Sequence, residues 1–153
     1  LNSQSSRANF NIAIGIQWNV VTMSVLLAYD GMSSSDAALD YAIRYSIRFD
    51  EPLYILTVVR DDEPETPESV CEYMQAAQRV AASEGAVVHT MIESGRPDET
   101  ILDVAERFDC SVVILGRPER SSLDRFFLGS VSDSVAKNAR CTVILVPEGV
   151  GEE

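Results

Sequence analysis

The stretch VVILGRPERSSLDRFFLGS, residues 112–130, decides how the rest of the chain is read. Its first four residues are apolar and predict a buried strand. A polar loop then opens at Gly116 and ends at Gly129 and Ser130, where helical spacing begins. The first N–H groups of such a helix have no partner, and the helix dipole favours negative charge there. The stretch therefore predicts an anion-binding loop between a buried strand and a helix.

Outward from this stretch, apolar runs alternate with segments of helical spacing. The runs predict five strands, at residues 24–29, 53–59, 86–92, 111–115 and 142–146. Helices are expected to begin near Ser33–Ser35, which supply candidate N-caps, at Thr66 with Pro67, after Pro97 and at Gly129. Continuous apolar strands separated by helices predict an α/β fold, with a doubly wound parallel sheet covered by helices on both faces.

Two loops with unusual residues follow strands of this sheet. Asp30 and Gly31 come after the first strand, and Gly116 comes after the fourth. Ligands of open parallel sheets bind beyond the carboxyl ends of the strands, where the strand order reverses. If the first and fourth strands are neighbours, both loops face one crevice.

Composition limits the classes of protein to consider. Of 153 residues, 46% are hydrophobic, which suits one domain with one core. No apolar run approaches the ~20 residues of a membrane span. The net charge of −12 disfavours nucleic acid and anionic membrane surfaces as partners. Lys137 is the sole lysine. Two interpretations of this composition remain open, an ordinary acidic cytosolic protein and one adapted to high salt.

Three cysteines, Cys71, Cys110 and Cys141, occur without Cys-x-x-Cys spacing. An odd number without that spacing predicts neither a disulfide framework nor a zinc site. Cys110 and Cys141 precede apolar strands and are expected to be small buried residues. These features indicate a reducing, cytoplasmic compartment.

The chain divides into three parts. Residues 23–147 form the folded domain, residues 148–153 form an acidic tail, and residues 1–22 form an extension that is either natural or added. In the extension, Ile12, Ile14, Ile16 and Trp18 alternate with smaller or more polar residues, which is strand spacing. We therefore expect residues 10–21 to form a strand-like arm on a sheet edge or on a second subunit.

The spacing of the loop resembles that of the universal stress protein family. That family has a glycine, two residues, a second glycine, nine residues and then Gly-Ser or Gly-Thr. Gly116, Gly129 and Ser130 match, and Glu119 replaces the second glycine. Further matches are Asp30-Gly31 followed by Ala38-Leu39, Gly95 with Pro97, and Val146-Pro147.

The resemblance covers residues 23–147 and implies the strand order 3-2-1-4-5. It also implies a homodimer in which the last strands, Thr142 to Val146, pair across a two-fold axis.

The resemblance also implies a non-catalytic site for ATP or AMP, with Mg²⁺ accompanying the phosphates. In ATP-binding members, the aspartate after the first strand and the end of the second strand hold the nucleoside. The glycine loop and the Gly-Ser helix start hold the phosphates. Carried over to this chain, the nucleotide-binding residues are Asp30, Val58, Gly116, Arg117, Gly129, Ser130, Val131 and Ser132.

Two residues of the loop oppose the binding of a triphosphate. Pro118 lacks a backbone donor, and Glu119 adds a carboxylate near the expected phosphates. We therefore expect weak ATP binding and a smaller penalty for AMP. The alternative is a dimeric stress protein that binds no nucleotide and acts through protein interactions.

Catalytic patterns are missing from the sequence. It contains neither a Gly-x4-Gly-Lys-Ser/Thr phosphate loop nor a Gly-x-Ser-x-Gly elbow. The sole histidine, His89, lies far in sequence from any candidate nucleophile. We predict no catalytic residue, no metal-ligand set and no enzymatic activity.

Overall fold

A computed structural model describes residues 23–62, 67–117 and 129–149. Its strands are β1 (Ser24–Ala28), β2 (Leu53–Val59), β3 (Val88–Ser94), β4 (Cys110–Arg117) and β5 (Thr142–Pro147). Its helices are α1 (Ser33–Phe49), α2 (Pro67–Ser83), α3 (Pro97–Arg107) and α4 (Ser130–Asn138). The five strands form a single parallel sheet in the order β3-β2-β1-β4-β5. The prediction of a doubly wound sheet in the order 3-2-1-4-5 is confirmed.

The central strand β1 explains why its sequence is apolar throughout. It pairs with β2 on one side and with β4 on the other, so that Leu26 lies opposite Tyr54 and Val113. Alternate residues of the strand enter opposite layers of the core. Val25 and Leu27 belong to one buried cluster, and Leu26 belongs to the other. A strand buried on both faces therefore needs a continuous apolar run.

Each core layer is closed by its own pair of helices. The first layer packs α1 and α2 on the sheet, through buried residues such as Ile43 and Met74. The second layer packs α3 and α4 on the opposite face, through Ile101, Val104 and Val135. All four helices leave strands at their carboxyl ends. The helix N-termini that start near those ends therefore gather at one edge of the sheet.

Two local predictions are wrong. Met32, not one of the three serines, occupies the N-cap of α1, which has no side-chain cap. The side chain of Asp30 accounts for this, because its Oδ1 accepts a hydrogen bond from the N–H of Met32 and so determines the turn. The third strand runs over Val88–Ser94 instead of residues 86–92. Residues 86 and 87 still connect it to α2, and Val87 is exposed.

Several predictions fall outside the described residues. These are the strand-like arm at residues 10–21, the helix-start residue Thr66, the loop residues Pro118 and Glu119, and the end of the acidic tail at 150–153. The beginning of the tail is described. The N–H of Glu148 donates to the carbonyl of Arg117 at 3.1 Å, and its Oε1 accepts a hydrogen bond from Ser33. Within the three described ranges, no helix has the length and apolarity of a membrane span.

Candidate functional site

A cavity of about 490 Å³ opens at the carboxyl ends of β1, β2 and β4. The N-terminus of α1 borders it on one side, and the N-terminus of α4 borders it on the other. A crevice between Asp30 and the two glycines Gly116 and Gly129 is therefore present. Seven of the eight predicted site residues line it: Asp30, Val58, Gly116, Gly129, Ser130, Val131 and Ser132.

Arg117 is the eighth predicted residue, and it is not among the residues that line the cavity. Strand β4 continues through Arg117, which lies in register with Pro147 of β5. The phosphate-binding role of Arg117 stays a prediction, because the loop that follows it at 118–128 lies outside the description.

Asp30 stabilises the turn before α1 and also lines the cavity. Its Oδ1 accepts hydrogen bonds from the N–H of Met32 at 2.9 Å and from the hydroxyl of Ser35 at 2.8 Å. Among the described residues, none donates a hydrogen bond to its Oδ2. Asp30 can therefore stabilise the turn through Oδ1 and still bind a ligand through Oδ2.

Two aromatic residues pack against this turn. The ring of Tyr73 lies beneath Gly31, which has φ +76°, and a β-carbon there would stand 2.9 Å from that ring. Tyr29 packs edge to face on Tyr73 with ring centroids 5.8 Å apart. The hydroxyl of Tyr29 donates to Oδ1 of Asp36 at 2.7 Å. Burial, together with this hydrogen bond to a carboxylate, raises the pKa of Tyr29 well above its ordinary value. The hydroxyl therefore remains a donor and holds the first turn of α1.

The opposite wall is the first turn of α4. Gly129 is its N-cap and provides no side-chain cap, so the N–H groups of the first turn have no intrahelical acceptor. The helix is held in place by Ser134, whose hydroxyl donates to Oδ2 of Asp98 on α3 at 2.8 Å. That hydrogen bond is the main cause of the lowered pKa of Asp98. A helix N-terminus that no described side chain caps thus borders the cavity.

The sequence analysis missed Arg60, which also lines the cavity. Arg60 is the only cation among the described residues that line the cavity. Its Nε lies 3.5 Å from Oδ1 of Asp62. Arg60 directly follows β2, so the rule that identified Asp30 after β1 could have identified it. The apolar part of the wall had no such local signal. It consists of residues inside elements, among them Ala28, Leu56, Ile101 and Leu115.

Comparison with known proteins identifies the fold and the family. The model of a family described as "Universal stress protein family" matches residues 22–147. The chain belongs to the universal stress protein family. A similar relative is Universal stress protein MJ0531 of Methanocaldococcus jannaschii, which is 28% identical over 137 residues, covering 80% of each chain.

Solved structures of the family share the fold. Universal stress protein UspA from Lactobacillus plantarum superposes with a TM-score of 0.71 at 25% identity, covering 84% of this chain and 99% of that one. A universal stress protein in complex with cAMP gives 0.70 at 21% identity, covering 84% and 98%. One from Archaeoglobus fulgidus in complex with dAMP gives 0.66 at 20% identity, covering 83% and 99%.

Proposed function

We propose that this universal stress protein binds an adenine nucleotide, without turning it over, in the cavity between Asp30 and α4. The observation that carries the proposal is the convergence of seven predicted residues, from four separate chain segments, on one cavity of about 490 Å³. Ligand sites typically have volumes of ~300–1,000 Å³. The cAMP and dAMP in the two structural neighbours support the class of ligand.

The lining residues divide into a nucleoside end and a phosphate end. Leu56, Ile101 and Leu115 provide apolar surface for a base, next to Val58 at the end of β2. Oδ2 of Asp30 can accept a hydrogen bond from a ribose hydroxyl. At the other end, the first N–H groups of α4 and the hydroxyl of Ser130 can receive a phosphate.

The number of phosphates is the finer part of the proposal. Glu119 and Pro118 occupy the loop between Gly116 and Gly129. Like charges ~5 Å apart repel by roughly 3 kcal/mol at an effective dielectric of ~20. We therefore propose AMP as the better ligand and ATP as the weaker one. Mg²⁺ would arrive with the ATP phosphates, since no three metal-ligating side chains cluster within the described parts of the chain.

The chemistry of the cavity favours binding over catalysis. His89, the only histidine of the chain, lies on the edge strand β3 and stacks on Tyr54 with centroids 5.0 Å apart. It does not line the cavity. The hydroxyl of Ser35 donates to Asp30 and to the carbonyl of Met32, both at 2.8 Å, which holds it in the turn. We therefore propose a non-catalytic binding module of the stress response, in the reducing cytoplasm that its free cysteines suit.

Calorimetry with AMP and ATP tests the proposal directly. Val58→Trp places an indole in the nucleoside end of the cavity and should abolish the binding of both nucleotides. Ile92→Trp is the matched control, because Ile92 is exposed on β3 and does not line the cavity. The proposal is wrong if the unmodified protein binds neither nucleotide, or if both tryptophan variants bind like it.

Glu119→Gly separates the loop from the rest of the site. If Glu119 is the cause of weak ATP binding, this change should tighten ATP by about tenfold or more, on the scale of ~1.4 kcal/mol per decade, while AMP changes less. Tight ATP binding by the unmodified protein would show that Glu119 turns away from the phosphates or shares a cation with them.

One observation favours the second candidate, a dimeric stress protein that binds no nucleotide. Arg117, the predicted phosphate partner at the start of the loop, is not among the lining residues. Absence of binding by both the unmodified protein and Glu119→Gly would favour this function. The protein would then act through protein contacts, with β5 proposed as its dimer strand.

A further inference from the structure

A second cavity lies at the opposite end of the sheet from the proposed nucleotide site. It has a volume of about 360 Å³ and opens beside the amino ends of β4 and β5. Two of the three cysteines, Cys110 and Cys141, line it together. The charged residues around it are Glu106, Asp109 and Arg140, and Arg140 pairs with Glu106 at 3.1 Å.

The register of the strands brings the two thiols to the same face of the sheet. Val112 pairs with Thr142, so Cys141 comes one position before a paired residue of β5. In β4, Ser111 is an extra residue, because Ser24 pairs with Cys110 and Val25 already pairs with Val112. This bulge reverses the alternation, and Cys110 joins Cys141 in the second core layer.

Their separation suits a covalent link. Neighbouring strands lie ~4.8 Å apart with a rise of ~3.3 Å per residue, so an offset of about one residue gives a Cα–Cα distance of roughly 6 Å. Disulfides join α-carbons about 4.4–6.8 Å apart. The two cysteines are free in this structure.

The two thiols differ in solvent accessibility, and both stay protonated at neutral pH. Cys110 is 7% exposed, whereas Cys141 is only half-buried. Burial raises the pKa of Cys110 to about 12, and the charges of Cys141, Asp109 and Glu51 add to the effect. Burial also raises the pKa of Cys141. The thiolate is the reactive form, and a raised pKa leaves little of it at neutral pH. Both thiols should therefore react slowly at low oxidant concentrations and measurably only when the oxidant accumulates.

We propose that Cys110 and Cys141 form an intramolecular disulfide when the protein meets a peroxide. The thiolate of the more accessible Cys141 attacks one oxygen of hydrogen peroxide, the O–O bond breaks, and hydroxide leaves to take up the proton released by the thiol. The sulfenic acid of Cys141 is then attacked by the sulfur of Cys110. The S–S bond forms, the S–O bond breaks, and the departing hydroxide takes the Cys110 proton as water. Two thiols are oxidised, and one peroxide is reduced to two waters.

The link would enclose residues 111–140. That segment contains most of β4 and the whole of α4, which contribute Gly116 and residues 130–132 to the lining of the first cavity. Closing a loop of this length restricts the unfolded chain and stabilises the folded one. The oxidised protein should therefore melt at a higher temperature, by roughly 5 °C or more.

The experiment uses the full chain with Cys71→Ser, because Cys71 is exposed on α2 and could otherwise link two molecules. This protein, and the same protein with Cys110→Ser or Cys141→Ser added, are treated with hydrogen peroxide at mildly alkaline pH. Free thiols are counted, peptides are mapped by mass spectrometry, and melting is compared with and without a reductant. None of these readouts depends on nucleotide binding.

The expected result is the loss of both thiols in Cys71→Ser, a peptide joining Cys110 to Cys141, and a rise in melting temperature that the reductant reverses. The variants with one remaining thiol should show no rise. The proposal is overturned if Cys141 goes on to sulfinic acid without linking to Cys110, if only links between molecules form, or if both thiols survive treatment that oxidises free cysteine.

Discussion

Gly116 at the end of β4 packs directly on the backbone of Ser34 in the first turn of α1. A β-carbon on Gly116 would stand 2.3 Å from the carbonyl oxygen of Ser34 and 2.9 Å from the N–H nitrogen of Ser35. This contact lets α1 begin where β4 ends, which forms one corner of the proposed nucleotide cavity. Gly116 is thus required by the packing of the protein itself, in addition to any approach of a ligand.

Gly116→Ala should therefore destabilise the protein. The added methyl group meets backbone atoms, which cannot rotate away as a flexible side chain can, so α1 or β4 must shift. We expect a loss of about 1–3 kcal/mol in the free energy of unfolding, the range typical of overpacked sites. Urea unfolding followed by circular dichroism measures the loss.

Gly129→Ala is the matched control for this glycine. A β-carbon on Gly129 would meet no atom of the described residues within 4 Å, and the φ of Gly129 is −58°. We expect only the change of a few tenths to about 1 kcal/mol that accompanies loss of a glycine N-cap. Equal losses in the two variants would contradict the packing role of Gly116.

Gly31→Ala tests how the turn that carries Asp30 is supported. Two costs add at this position: the positive φ of +76° and the contact of 2.9 Å with the Tyr73 ring. Gly85→Ala bears the first cost alone, since Gly85 has φ +97° and no atom in the described part of the chain lies within 4 Å of the position of its β-carbon. The positive φ costs ~1–2 kcal/mol. We expect a larger loss of stability for Gly31→Ala than for Gly85→Ala, measured by the same unfolding curves.

The buried thiol of Cys110 should make the protein sensitive to base. Burial raises the pKa of this thiol from its ordinary value of 9.0 to about 12, so between these values the unfolded chain releases a proton that the folded chain keeps. Stability is unaffected by this group below about pH 9 and falls as the pH rises toward about 12. The slope is at most ~1.4 kcal/mol per pH unit.

Cys110→Ala should flatten that fall. Urea unfolding under a reductant, at several pH values from about 8 to about 10.5, gives the slope for each variant. Cys71→Ala serves as the control, because Cys71 is exposed on α2. A slope unchanged by Cys110→Ala, with the control equally unchanged, would show that the Cys110 thiol ionises as readily in the folded protein as in the unfolded one.

The last strand should join two copies of the chain. Within the described sheet, β5 pairs only with β4, and its residues Val143, Ile144 and Leu145 are partly exposed apolar side chains. An unpaired apolar edge favours pairing with another strand, and a two-fold axis closes both edges. We expect a dimer in sedimentation equilibrium at micromolar concentration.

Val143→Glu should convert that dimer to a monomer, since it places a charge on the proposed interface. Thr90→Glu on β3, the other edge of the sheet, is the control and should leave the dimer intact. Circular dichroism checks that both variants fold. A monomeric unmodified protein, or a dimer lost only through Thr90→Glu, would refute pairing through β5.

Much of the candidate site could be predicted from the local sequence. Asp30 follows an apolar strand, and Gly129 and Ser130 precede a helical segment, so each position carries a signal within a few residues. Arg60 carries the same signal and was overlooked. Leu56 and Ile101 could not have been selected, because any apolar residue within an element has the same local pattern.

By itself, the sequence determined that strands and helices alternate and that the strands are buried, because runs of apolar residues can be satisfied only inside a covered sheet. It also determined that a helix begins directly after Gly129. The family resemblance implied that β1 and β4 are neighbours, but only the tertiary structure showed that this places Asp30 and α4 on one cavity. It alone decided the close approach of Gly116 to Ser34, and it alone placed Cys110 and Cys141 on one cavity, which depends on the bulge at Ser111. Such contacts join residues far apart in the chain, and no local spacing encodes the distance between them.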